Sequence, residues 1–222
     1  MCGRYSLTSD MQHLQQRFSF NWKQTGYNPR FNIAPGQQVI TITNSGLGNK
    51  AQFMQWGLIP SWSKDLKSAS RMINARSETL SQKPTFAKLI DSKRCLVIAD
   101  RFFEWMQSGQ KKIPMCIMLK SGEPFGFAGL WDTWISHNKE LINTCTIITT
   151  IPNDLISPIH HRMPVIIPDY SESDWLNPVE TNTDYLKELL VPYEAHYMEA
   201  YQVSASVNSP SNDRRDILDR VV

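Results

Sequence analysis

Residues 94–131 read RCLVIADRFFEWMQSGQKKIPMCIMLKSGEPFGFAGLW, and this stretch tells the most about the architecture of the chain. Four of its segments are rich in β-branched and aromatic residues, as strands are: 94–99, 102–106, 113–119 and 125–131. The connections 107–112 and 121–123 are too short for a crossover helix and favour antiparallel hairpins. The stretch therefore predicts an antiparallel β-core.

Further elements are predicted on both sides of it. The additional strands are 38–43, 51–58, 143–149, 163–167 and 196–202, and the helices are 9–19, 84–92, 171–175 and 183–190. Ser9 and Gln12 resemble a capping box, and Pro84 suits a first helical turn. We predict a strand-rich α+β fold, a single domain over residues 1–222 with a mainly antiparallel, barrel-like β-core, a few flanking helices and an irregular tail from about residue 204.

Composition limits the classes of protein to consider. A chain of 222 residues with a formal net charge of +2 is long enough for a substantial core and lacks the global positive field of many polyanion binders. No apolar run approaches the roughly 18 residues of a membrane span, and residues 1–20 lack the apolar core of a signal peptide. We expect a cytoplasmic protein that does not bind membranes.

Three of the four cysteines are predicted to be core residues. Cys95, Cys116 and Cys145 each lie in an apolar stretch, and the chain has no Cys-x-x-Cys pair. A zinc site or a disulfide framework is therefore not expected, and we predict no metal and no cofactor.

Cys2 differs from the others because removal of Met1 would make it the N-terminal residue. It would then carry an α-amine that titrates at about pH 8 beside a thiol that titrates at about pH 8.5. Such a 1,2-aminothiol condenses with an aldehyde through an imine, which the sulfur closes into a thiazolidine ring. Alternatively, the amine serves as a base for its own thiol.

Four polar segments are candidates for the rest of a site. Residues 32–36 form a turn-like cluster, and residues 73–79, if extended, project Asn74, Arg76 and Glu78 from one face. Glu104 is a single carboxylate in an aromatic run, and His160 and His161 precede another apolar run. Each segment taken alone also has a purely structural explanation, as a solvated strand face, a surface loop or a hydrogen-bonded core residue.

Six motifs in the chain resemble, in order, those of the SOS response-associated peptidase (SRAP) family. They are MCGRY at 1–5, FNIAPG at 31–36, QWGLIPSW at 55–62, INARSET at 73–79, RFFEW at 101–105 and IHHRMP at 159–164. The similarity runs from residue 2 to about 168 and includes the tail at 203–208. One departure is His161, where many members of the family carry Asp.

This resemblance implies a protein that captures abasic sites in single-stranded DNA covalently, through a thiazolidine on Cys2, and so protects the lesion from strand cleavage. It also implies crosslink reversal and a peptidase activity directed at the protein's own Met1. The implied catalytic residues are Cys2, Asn74, Glu104 and His160. The implied DNA contacts are Arg4, Asn32, Pro35, Trp62, Arg76, Trp105 and Thr149. The expected partner is single-stranded DNA containing abasic sites, bound by a monomer that is associated with the nucleoid while on DNA.

Each implied role suits its residue type. Glu104 would move protons to and from the amine and the departing oxygen, and Asn74 would hold the amine without competing for its proton. His160 would assist opening of the sugar. Arg4 and Arg76 suit phosphate contacts, and Trp105 or Trp62 suits stacking on bases of any sequence.

Two other classes remain open from the sequence. An N-terminal-nucleophile amidohydrolase, such as a glutamine amidotransferase, also begins Met-Cys-Gly, although Arg4 is unusual there. A non-catalytic reader of single-stranded or modified DNA would use the same pocket without forming a bond.

Overall fold

The computed structural model describes residues 2–22, 26–65 and 71–221 of the chain. In this part, thirteen β-strands form two sheets, and four α-helices lie around them. The strands are β1 (Tyr5–Leu7), β2 (Arg30–Ile33), β3 (Gln38–Asn44), β4 (Asn49–Trp56), β5 (Asn74–Arg76), β6 (Arg94–Ala99), β7 (Arg101–Ser108), β8 (Lys111–Leu119), β9 (Phe125–Ile135), β10 (Leu141–Thr150), β11 (Met163–Pro164), β12 (Ile166–Ile167) and β13 (Met198–Gln202). The helices are α1 (Met11–Phe18), α2 (Pro84–Ser92), α3 (Glu172–Leu176) and α4 (Thr183–Glu188).

Five strands close into a small barrel in the order β3, β4, β10, β9, β6 and back to β3. Four of the five pairings are antiparallel, and only β4 with β10 is parallel. β6 is buried along its whole length, because one face points into the barrel and helices α2 and α3 contact the strand. The predicted strand-rich α+β class with a barrel-like core is confirmed.

The second sheet is antiparallel throughout, in the order β13, β8, β7, β1, β2. The predicted hairpin over 107–112 is confirmed, because β7 and β8 pair from Arg101 with Met118 to Ser108 with Lys111. The predicted hairpin over 121–123 is wrong. That loop leads from β8 in the second sheet to β9 in the barrel, since β7 and β13 already occupy the two edges of β8.

The start of α1 differs from the prediction. Asp10, rather than Ser9, caps the helix by accepting from the backbone N–H of His13. Ser9 instead donates its hydroxyl to Asp100, at 2.8 Å, in the one-residue link between β6 and β7. The capping box is therefore wrong, although the helix is real. Pro84 does begin α2, as predicted.

Three short strands were absent from the predicted set, and all three shape the site. β1 has three residues, and β2 lies where a loop is expected from the Asn, Pro and Gly residues nearby. β5 runs parallel to β10, with Asn74 opposite Ile147 and Arg76 opposite Thr149. Because a 3₁₀ turn begins at Ser77, Glu78 leaves the strand and does not share a face with Asn74 and Arg76, contrary to the expectation for an extended segment.

In the part of the chain that the structure describes, no helix has both the length and the apolar character needed to cross a membrane.

Candidate active site

Cys2 lies three residues before β1 and is fully buried. Arg4 O accepts from Phe103 N at 2.9 Å, and Tyr5 lies opposite Phe102, so β7 holds the start of the chain beside Glu104. Asn74, at the first position of β5, donates from Nδ2 to the carbonyl oxygen of Cys2 at 2.8 Å. The predicted removal of Met1 concerns a residue outside the described ones.

Glu104 points into the main core because side chains alternate along β7. Phe102 belongs to the main core, whereas Phe103 and Trp105 pack on the opposite side of the strand. Glu104 is only 2% exposed, and burial raises its pKa from 4.5 to about 7. A carboxyl group with this pKa can both accept and release a proton near neutral pH.

His160 faces Glu104, with Nε2 at 4.0 Å from Oε2. The backbone N–H of Arg162 donates to His160 Nδ1 at 3.0 Å. The same nitrogen also lies 3.1 Å from Arg162 O, so these contacts fit either neutral tautomer, and Nε2 is the nitrogen nearer the carboxylate. Burial lowers the pKa of His160, which favours the neutral ring. The exposed His161 ring stacks on it, with centroids 4.3 Å apart and planes inclined by 30°.

The Cys2 thiol keeps its proton at neutral pH. Burial raises the pKa of Cys2 far above its ordinary value, and the nearby charge of Glu104 raises it further. The Sγ atom lies 4.0 Å from the carbonyl oxygen of Arg4. A reaction at this sulfur therefore needs a base, and Glu104 is the carboxylate near it.

Two residues that sequence reasoning left without a role, Arg162 and Glu78, link His160 to β5. The buried guanidinium of Arg162 donates to both carboxylate oxygens of Glu78, at 2.5 and 2.9 Å, and to Thr149 O at 2.6 Å. Glu78 lies two residues after the end of β5, so the ion pair connects the segment carrying Asn74 to the loop carrying His160. An arginine beside an apolar run indicates in the sequence that a partner must satisfy its charge. The sequence does not show that the partner is Glu78, 84 positions away.

We expect Glu78→Gln to lower the free energy of unfolding by about 1 kcal/mol at pH 7, the upper end for an exposed ion pair, because this carboxylate is partly exposed. The bond to Arg162 lowers the pKa of Glu78, so its stabilisation is present above the pKa of the unfolded chain and is lost as pH falls through the folded value. Urea unfolding at pH 7 and at pH 3 measures both. An equal difference between wild type and variant at the two pH values would contradict the assignment.

The predicted DNA contacts fall into three groups. Arg76, Trp62 and Pro35 have surface access, with Arg76 exposed, Trp62 69% exposed and Pro35 half-buried in a turn. Trp62 lies on a loop that is anchored because Ser61 N donates to Asp132 Oδ2 at 2.7 Å and Trp134 Nε1 donates to Ser63 O at 2.7 Å. These positions suit contacts with an extended ligand.

Asn32 and Thr149 are fully buried, where the structure gives them contacts within the protein. Asn32 Oδ1 accepts from Arg4 Nη1 at 2.8 Å, and Thr149 O accepts from Arg162. Arg4 and Trp105 lie together, with the guanidinium carbon 6.0 Å from the indole centroid. The structure therefore brings Cys2, Asn74, Glu104 and His160 together.

A family model described as SOS response associated peptidase (SRAP) matches residues 1–210. Abasic site processing protein YoqW of Bacillus subtilis (strain 168) is 49% identical over 222 residues, which are 99% of each chain. Abasic site processing protein HMCES of Gallus gallus is 29% identical over 98% of this chain and 77% of its own. A crystal structure of a Bacteroides thetaiotaomicron protein has a TM-score of 0.90 at 29% identity and covers 100% of both chains.

Proposed function

Because this chain belongs to the SOS response associated peptidase (SRAP) family, we propose that it captures abasic sites in single-stranded DNA through a covalent bond to Cys2. Relatives that carry the name abasic site processing protein support action on abasic-site DNA. The observation that carries the proposal is the convergence of four groups. Asn74 binds the Cys2 carbonyl, Glu104 lies near the thiol, and His160 faces Glu104.

The first step takes place at the α-amine that Cys2 gains when Met1 is removed. The amine adds to the aldehyde carbon of the opened sugar, the carbonyl oxygen takes up a proton, and its loss as water leaves an iminium ion. Asn74 is built to orient the amine. Its Oδ1 is buried and accepts no hydrogen bond from the described residues, so it is available to accept one from an amine N–H.

The second step closes the ring. Sγ bonds to the same carbon, the C=N π pair returns to nitrogen, and the thiol proton leaves to Glu104, which compensates the proton consumed in the first step. The overall reaction releases one water. Ring closure removes the iminium that would otherwise promote β-elimination and strand breakage. A protonated Glu104 can return its proton to the ring and reverse the link.

The His160 imidazole assists the sugar. Its Nε2 is directed toward Glu104, and a proton carried there would stabilise the sugar ring oxygen as it becomes a hydroxyl. Arg76 and Arg4 would contact phosphates, while Trp105 and Trp62 would stack on flanking bases, each stacked base contributing about 1–3 kcal/mol regardless of sequence.

A denaturing gel tests the proposal. A uracil-containing single-stranded oligonucleotide treated with uracil glycosylase should give a heat-stable, slowly migrating adduct with the protein. The untreated oligonucleotide should give none. Absence of the adduct with the treated strand would overturn the proposal.

Arg76→Ala should weaken binding of unmodified single-stranded DNA and lower the slope of log K against log salt by about 0.7, the value for one lost phosphate contact on a single strand. Arg76 is exposed at the end of β5, beside Asn74, so its loss removes a charge without opening the core. Fluorescence anisotropy over a salt series measures the slope. Lys50→Ala, which removes an exposed charge from β4, is the control and should leave the slope unchanged.

A further inference from the structure

The C-terminal segment packs against the outer face of the second sheet. Val203, Val207 and Ile217 form a small separate core with Phe103 and Cys116. A 3₁₀ turn over Ala205–Asn208 carries the chain across this face. The partly buried ring of Trp105 packs on the same cluster, so the C-terminal segment reaches a residue that we place at the DNA.

The side-chain amide of Asn32 holds the backbone of this segment. Its Nδ2 donates to the carbonyl oxygens of Val207, Ser209 and Asn212 at 3.2, 3.0 and 2.8 Å. Arg4 Nη1 also donates to Val207 O, at 2.6 Å. A buried amide that gathers three carbonyls holds the turn in one conformation, which gives Asn208 a defined position.

Asn208 in turn binds the edge of Trp105. The indole Nε1–H donates to Asn208 Oδ1 at 2.7 Å, and this bond uses the one polar donor of the indole ring. The Asn208 side chain is exposed, so this contact lies at the surface rather than in the core. Because the indole N–H is hydrogen-bonded, the Trp105 side chain cannot rotate without losing this bond, so its ring face keeps one direction.

We propose that Asn208 is a positioning residue for DNA recognition, which fixes the Trp105 indole so that its face is already oriented for the base beside the lesion. This inference rests on the proposed function. A ring that is ordered before binding does not lose its rotational freedom on binding, so the bond between Asn208 and Trp105 raises affinity without touching DNA. Its loss should weaken binding about three- to tenfold, the range for ordering one side chain.

A double-mutant cycle separates this role from direct contact or general stability. We would compare wild type, Asn208→Ala, Trp105→Phe and the double variant by anisotropy with unmodified single-stranded DNA. Phe keeps a stacking ring but has no N–H group. Asn208→Ala should raise Kd about three- to tenfold when Trp105 is present and leave it unchanged in the Trp105→Phe background, because the bond no longer exists there. The crosslinking rate at saturating abasic DNA should change little by comparison.

Ser209→Ala is the matched control, since among the described residues this neighbouring exposed hydroxyl bonds only to that of Ser211. It should leave Kd unchanged. An equal loss of affinity from Asn208→Ala in both backgrounds would overturn the inference, as would no loss in either.

The two proposals fail differently. Wild-type protein that binds single-stranded DNA without forming an adduct would overturn covalent capture, while the cycle on binding would still decide the role of Asn208. Wild-type protein that does not bind single-stranded DNA would contradict both.

Discussion

Cys2→Ala should lower the yield of heat-stable adduct by at least about a hundredfold, because the variant keeps the amine but has no sulfur to close the ring. The N-terminal amine of this variant can still form an imine with the sugar. We therefore expect a product that borohydride traps, together with strand breakage by β-elimination, in place of a thiazolidine. Denaturing gels run with and without borohydride measure all three species.

The control for this prediction is Cys145→Ala. Cys145 is also fully buried in the main core, and its pKa is also raised by burial, but it lies in β10 and not at the start of the chain. Its removal should leave the adduct yield unchanged. A Cys2→Ala protein that gives as much heat-stable adduct as wild type would eliminate the thiazolidine mechanism.

Glu104→Gln should slow adduct formation by about a hundredfold or more at pH 8, within the range for loss of a general base. Burial raises the pKa of Glu104 to about 7, so the carboxylate that takes the thiol proton is lost as pH falls below 7. The N-terminal amine also loses its reactive form below about pH 8. The logarithm of the wild-type rate should therefore rise with a slope of about 2 below pH 7 and about 1 between pH 7 and about 8, whereas the variant should show a slope of about 1 over the whole range below about pH 8.

Glu172→Gln is the matched control for the pH profile, because Glu172 is another buried carboxylate whose pKa burial raises, but it pairs with Arg17 and not with a residue of the candidate site. It should leave both slopes unchanged. A Glu104→Gln protein that keeps the steep limb below pH 7 would remove the carboxylate from the mechanism.

Glu104→Gln should also stabilise the fold at high pH. The folded pKa of Glu104 lies above the ordinary value of 4.5, so the folded state holds a proton that the unfolded chain releases between pH 4.5 and about 7. Stability from this group is full below pH 4.5 and is lost as pH rises through 7. At pH 8, the free energy of unfolding of Glu104→Gln should therefore exceed that of wild type by up to about 3 kcal/mol, so the variant unfolds at a higher denaturant concentration. A variant that is less active yet more stable excludes unfolding as the cause of the slower reaction.

The sequence predicted the β-core well because buried strands leave long apolar runs, as in β6 and β9. Glu104 could be identified as a candidate because a single carboxylate in an aromatic run is unusual. The strands β1, β2 and β5 were missed because three or four residues are too few to show a period of two. Their form depends on pairing with strands that are distant in the chain.

The partners of the candidate site were harder to predict than its members. The bond from Trp105 to Asn208 spans 103 positions, and no local pattern relates the two residues. Asn32 was predicted to contact DNA, yet its amide binds three carbonyl groups of the C-terminal segment. A buried polar residue in a motif signals that something must satisfy it, but only the tertiary structure shows which groups do so.

Intact mass spectrometry of the purified protein, alone and after mixing with abasic single-stranded DNA, puts the chemistry at Cys2 to the test in one measurement. The protein alone should be lighter than the full sequence by one methionine residue. The mixture should contain a species whose mass is that of protein plus DNA less one water. Retained methionine, or a mixture containing only the two separate masses, would contradict the mechanism.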